Sequence, residues 1–157
     1  MATKGWTGTE PSAWADTTDR LLAALLRGSV QALAQEASRT IPNGGRVPVK
    51  TGNLARSVVV SNKPPNIITE EAAAGSFSDG IAAIKPGEKV YIGWQAAYAR
   101  RMNYGYVGTD SAGRYYGSAQ AVITTGYSNR VGYGFAEAAA AKWPSIVAEQ
   151  AAKLRKR

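Results

Sequence analysis

The 157-residue sequence contains no histidine and no cysteine. The commonest general base, the commonest borderline-metal ligand and every thiolate site are therefore excluded. Hydrolytic or transfer chemistry would have to rest on Ser–Lys pairs, paired carboxylates or metal-bound water. No S-x-x-K and no G-x-S-x-G occurs. The 11 carboxylates are scattered, and their densest group is Glu70, Glu71 and Asp79. Neighbours on a strand point to opposite faces, so Glu70 and Glu71 make poor co-ligands there. A carboxylate hydrolase is thus a poor third reading, with no substrate to suggest. No catalytic residue, metal ligand or cofactor site is expected, and the chain reads as a non-enzyme.

Two phosphate-binding patterns also fail. Gly132-Tyr133-Gly134 precedes a helical segment, but Glu137 stands at the third glycine position of G-x-G-x-x-G. A carboxylate there would repel a pyrophosphate. Close packing of a turn before the helix is the better reading. No G-x-x-x-x-G-K-[ST] loop is present.

Cations mixed with aromatics are the remaining chemical signal. Arg100-Arg101, Arg114 beside Tyr115-Tyr116, and Arg130 near Tyr133 form such groups. Single-strand binders combine phosphate attraction with stacking in this way. No recognised nucleic-acid motif accompanies them. Tyrosine with glycine serves protein contacts equally well. A non-specific DNA-binding module is the alternative function that these residues suggest.

The elements that position these residues follow from periodicity. Residues 1–10 read as a mobile arm, with Trp6 open to a neighbour contact. From Pro11 to Ala37 the leucines at 21, 22, 25, 26 and 33, with Val30, recur at helical spacing. Trp14 is expected to start this helix and pack on the core. Pro11 suits the first turn, and Asp16 and Asp19 suit the early part. Thr40 to Gly45 ends the helix with turn chemistry.

Leu54–Ser61 and Val90–Trp94 read as strands, and Ile81–Ile84 as a short one. Residues 62–80 and 105–120 are expected as loop excursions, the second as a loop or hairpin. Gln95–Met102 is a short helix or turn, and Ala121–Thr125 a further strand. Phe135–Leu154 is a second long helix. Pro144 either kinks it or starts a separate helix. The expected fold is a single α+β domain over 11–154, a mostly antiparallel sheet packed by two long helices.

Composition sets the outer bounds. Hydrophobic residues make up 45%, enough for one core at this length. The net charge is +8, from 19 basic and 11 acidic residues. Four of the bases, Lys153, Arg155, Lys156 and Arg157, close the chain, and 155–157 reads as a basic tail. Such charge suits nucleic acid or an acidic protein surface. No apolar run reaches the roughly 20 residues that span a bilayer, so no membrane role is expected. The first residues have no signal-peptide core, and synthesis in a cytoplasm is the expectation.

Two segments remain that chemistry does not explain. One is Pro48-Val49-Lys50-Thr51-Gly52-Asn53-Leu54-Ala55-Arg56-Ser57. The other is Tyr91-Ile92-Gly93 followed by Tyr98-Ala99-Arg100-Arg101-Met102-Asn103-Tyr104-Gly105. Together they resemble the small neck and tail-completion proteins of lambdoid long-tailed bacteriophages. That family shows P-V-x-T-G-x-L-x-x-S, then V-Y-x-G, then Y-A-x-x-x-E-x-G. Pro48, Thr51, Gly52, Leu54 and Ser57 match the first pattern, and Tyr98, Ala99, Tyr104 and Gly105 the last. Asn103 stands where the family often has Glu, which puts any ion pair of that Glu in doubt. A W-P pair in a final helix, here Trp143-Pro144, is a further likeness.

The resemblance spans about residues 47–154, with 62–84 unmatched. It implies a structural virion protein at the head–tail junction or tail end. It also implies a homohexameric ring around the DNA channel, in contact with other head–tail connector and tail-tube proteins. Neck protein, tail completion protein and tail terminator are not separated by it. On this reading Arg100, Arg101, Arg114, Arg130, Lys153 and Arg155 are candidates for DNA-channel or interface contacts. The motif residues have a plainer role too: a Thr51-Gly52 turn, Leu54 as a core anchor, and Tyr98 and Tyr104 capping the sheet.

Overall fold

The computed structural model describes residues 8, 10–68, 77–105, 108–109, 115–116 and 132–155. Trp6, Glu70, Glu71, Arg114, Arg130 and the expected strand Ala121–Thr125 lie outside them.

The first helix, α1, runs Pro11–Ser38 with proline in its first turn. Proline costs nothing there, because the missing N–H has no partner inside a helix anyway. The C-terminal half is the anchored half. Ser29, Val30, Ala34 and Ala37 are its buried residues, and Val30, Ala34 and Ala37 are spaced four and three apart. Trp14, expected on the core, is 66% exposed. It sits four turns before the first buried position, where no sheet lies beneath the helix.

Two short elements follow. A single helical turn, α2, covers Asn53–Arg56, and strand β1 covers Val58–Ser61. The expected strand from Leu54 is therefore corrected at its start. Leu54 and Ser57 are both buried, and their spacing of three is one helical turn. Gly52 enters that turn at φ +78°, the left-handed value open to glycine.

Helix α3 covers Phe77–Ala82, where a loop end and a strand were expected. Ile81 and Ile84 are buried on one side, again three apart. The run Ile-Ala-Ala-Ile reads as either strand or helix from hydrophobicity alone. Strand β2, Tyr91–Trp94, pairs antiparallel with β1 in the register Val58↔Trp94 to Ser61↔Tyr91. Helix α4 is Ala99–Tyr104. Strands β3, Gly108–Thr109, and β4, Tyr115–Tyr116, form a second antiparallel pair, as a hairpin reading requires.

The C-terminal helical segment is divided. Helix α5 is Phe135–Ala141 and helix α6 is Trp143–Arg155. The division falls at Lys142, so Pro144 occupies the first turn of α6 instead of the interior of one long helix. Of the two readings of Pro144, the separate helix is the one observed.

The architecture is α+β. The β1–β2 pair is covered by α1 and α3, and α6 lies along α1. One part of the core gathers Val30, Ala34, Val58, Val60, Ile81 and Ile84. The adjoining part gathers Val47, Leu54, Ala96, Ala99 and Phe135. Trp94 packs against both, meeting Phe135 edge to face at 4.7 Å between ring centroids. That geometry adds about 1 kcal/mol beyond area burial.

Candidate functional site

The two motif segments meet. Pro48–Leu54 forms one wall of a groove of about 790 Å³, and Tyr98, Met102 and Tyr133 form the other. The junction is stitched by the backbone, because Gln95 N–H donates to the Ser57 carbonyl at 2.9 Å. Asn53 Nδ2 lies 3.4 Å from the Tyr98 hydroxyl across the mouth. Among the described residues the lining includes one cation, Lys50, and no carboxylate.

Within the first segment, burial sorts the residues into two roles. Leu54 is buried, and the Ser57 hydroxyl is buried and donates to the Leu54 carbonyl at 2.8 Å. A hydroxyl so engaged closes the turn and is no free nucleophile. Thr51, Lys50 and Val49 are exposed, and Pro48 is half-buried. Arg56 folds back to the Thr51 carbonyl at 3.1 Å, which braces the loop from below.

The second segment divides likewise. Ala99 is buried against the core, and Tyr98 and Tyr104 are exposed at 41% and 68%. The Tyr98 hydroxyl accepts from Asn53 and that of Tyr104 donates to Glu137, so each ring is tied back at its tip. Gly105 ends α4 with φ +76°. Arg100 and Arg101 are exposed on α4. Lys153 and Arg155 are on α6, outside the groove lining, and Lys153 pairs with Glu149 at 3.7 Å. The structure thus brings together the motif residues but not the full set of cations.

Sequence reasoning misses the contact that locks this site. Asn103 is buried, and its side-chain amide is fully used. Oδ1 accepts the Ala136 N–H at 2.9 Å. Nδ2 donates to both carboxylate oxygens of Glu137, at 3.1 and 2.9 Å. Gly134 precedes α5 and has no side chain to cap it. Asn103 therefore supplies the cap from a distant segment, with Glu137 in the third helical position, as in a capping box. The Asn103 bond is the largest cause that holds the Glu137 carboxyl below the ordinary glutamate range, and Tyr104 adds to it.

The available signal was Asn103 as a departure from the motif, together with Glu137 where a dinucleotide loop needs glycine. Neither alone points to the other. The turn between them is tight. Tyr133 and Gly134 donate their N–H groups to the Met102 and Asn103 carbonyls at 2.9 and 3.0 Å.

Asp79, the one described member of the carboxylate group, is exposed on α3. Among the described residues no three His, Cys, Asp or Glu side chains gather as a metal site. Among them also, no helix is long and apolar enough to cross a membrane. What the described residues of the groove offer chemically is an open surface with two tyrosines, a lysine and no carboxylate, suited to docking. Compared with protein-family models, with curated proteins and with solved structures, the chain finds no match.

Proposed function

We propose that this chain is a structural virion protein of a tailed bacteriophage, a subunit of a ring at the head–tail junction or tail end. The ring joins head to tail and surrounds the DNA channel. The observation that carries this reading is the convergence of Pro48–Leu54 with Tyr98 and Met102 on one groove, which joins the two segments that resemble the neck and tail-completion family. The exposed members, Thr51, Tyr98 and Tyr104, are suited to contacts with other subunits, since tyrosine gives large contact area at low entropy cost. The net charge of +8 suits a channel that passes DNA. No catalytic step is proposed.

The test is electron microscopy and mass spectrometry of purified particles. Density for a ring of this chain between head and tail tube, or at the tail end, is the expected result. Particles that contain no copy of the chain overturn the reading.

Non-specific DNA binding is the second reading, favoured by Arg100 and Arg101, both exposed on one helix. It predicts affinity for duplex or single strands that falls steeply with salt. A titration in low salt that detects no binding rejects it, and charge reversal at both arginines tests the patch.

A further inference from the structure

Helices α1 and α6 pack antiparallel. Lys142 pairs with Glu36, and Gln150 reaches Gly28. Following that register, the last described turn of α6, around Leu154 and Arg155, lies beside Thr18–Leu22. Residues Pro11–Thr17 therefore run past it, by about 10 Å at the helical rise. All seven are exposed. Trp14, Leu21 and Leu25 stand on one helical line, so Trp14 continues the seam beyond the point where α6 covers it. An indole 66% exposed on a protruding turn is an anchor without a pocket among the described residues.

A pocket of about 310 Å³ stands further along the same pair of helices. Leu22, Leu25 and Leu26 form one side, and Trp143 and Val147 the other. Ser29 also lines it. Its Oγ is buried and has no hydrogen-bond partner among the described residues. Indole N–H is a donor only, and a serine oxygen can accept from it. Charge supports the same match. Residues 10–19 carry Glu10, Asp16 and Asp19 and no base. The loop beside the pocket carries exposed Lys85 and Lys89, with Glu88.

We propose that Trp14 of one copy docks in the Leu22–Trp143 pocket of the next copy, so that chains associate head to tail. A twofold contact between two protruding turns would set Glu10, Asp16 and Asp19 against their own copies, which repels. The anchor and the pocket occupy different places on one chain, and a contact of that kind repeats in one direction, as the ring reading requires. The inference deepens the ring reading and rests on it for the identity of the assembly, but its own test needs only the purified chain.

Sedimentation velocity over a concentration series tests it on the full chain. The wild type is expected to self-associate. Trp14→Ala should weaken association about 30-fold or more, as expected for a tryptophan anchor. Leu22→Glu, at a half-exposed position in the pocket, should do the same. Far-ultraviolet spectra and melting curves identify any variant that fails to fold. The decisive measurement mixes the two variants. Each retains one half of the contact, so an equimolar mixture should form heterodimers and nothing larger. A wild type that stays monomeric at all concentrations overturns the proposal, as does a Trp14→Ala variant that assembles like the wild type. So does a mixture that forms no dimer. Particles that contain the chain as a ring with Trp14→Ala incorporated normally would reject this contact and leave the ring reading intact. Trp14-dependent association of a chain absent from particles would do the reverse.

Discussion

Asn103 Nδ2 donates to both carboxylate oxygens of Glu137, and Asn103 Oδ1 takes the neighbouring Ala136 N–H. One buried side chain thus closes the start of α5 and fixes α4 to it. Replacing Asn103 with Ala leaves the Ala136 N–H without its acceptor and removes the largest of the hydrogen bonds to the Glu137 carboxylate. Loss of a cap together with a buried unmade bond should cost about 2 kcal/mol. Urea denaturation measures it, and an unchanged midpoint would show that the cap carries no weight. Asn103→Asp keeps the acceptor but sets a second carboxylate against Glu137, so it should also be destabilised near neutral pH.

The same contact has a pH signature. The Glu137 carboxyl is held below the ordinary glutamate value of 4.5, first by the Asn103 bond. Glu36 is also lowered, first by its hydrogen bond from Lys142. A depressed folded pKa means that the unfolded chain binds the proton more tightly. The stabilisation is therefore complete above 4.5 and is lost as pH falls through the folded values. Unfolding free energy should decline on acidification below about pH 5. Glu137→Gln, which removes the titrating group, should flatten that decline. An identical slope in the variant would detach Glu137 from it.

Steric crowding gives a sharper contrast. A Cβ added at Gly80 would fall 1.7 Å from the Val60 carbonyl oxygen, and one at Gly132 would fall 2.1 Å from that of Asn103. Neither oxygen belongs to a flexible side chain, so the backbone itself has to move. Gly80→Ala and Gly132→Ala should each destabilise by about 2 kcal/mol or more. Gly87→Ala meets nothing within 4 Å, and only its φ of +84° opposes it. That strain should cost about 1 kcal/mol. Thermal melts of the three variants rank them, and Gly87→Ala as the worst would refute the ordering.

Legibility in the sequence follows the range of the interaction. Helix α1 and strand β2 were readable because their burial repeats locally, at three to four residues and in a bounded apolar run. The β1 strand was readable only from Val58, since Leu54 and Ser57 share a helical turn whose spacing of three a β-rich neighbourhood conceals. Helix α3 is concealed because it spans only six residues, Phe77–Ala82, and shares Ile81-Ala82 with an apolar run that shows no period. Trp14 was misplaced because a helical stripe does not say where its partner ends. At the groove, the motif residues were named but not their sorting into buried and exposed. The Asn103–Glu137 lock joins residues 34 positions apart, beyond the reach of any local pattern.

That sorting makes the last prediction, which separates folding from assembly within one motif. Leu54 is 4% exposed beneath the groove, and Leu54→Ala should cost about 2–5 kcal/mol. Any loss of particles in that variant would follow from lost protein. Val49 is half-exposed on the groove wall and Tyr98 stands across from it. Val49→Asp should change stability by no more than about 0.5 kcal/mol, and Tyr98→Ala, which also removes the partner of Asn53, by about 1 kcal/mol. If the groove docks a neighbour, these two variants fold normally, accumulate normally and fail to enter particles. Chemical denaturation and mass spectrometry of particles measure the two effects separately. Stable variants that enter particles at the wild-type level would assign the whole motif to the fold and move the assembly contact elsewhere on the chain.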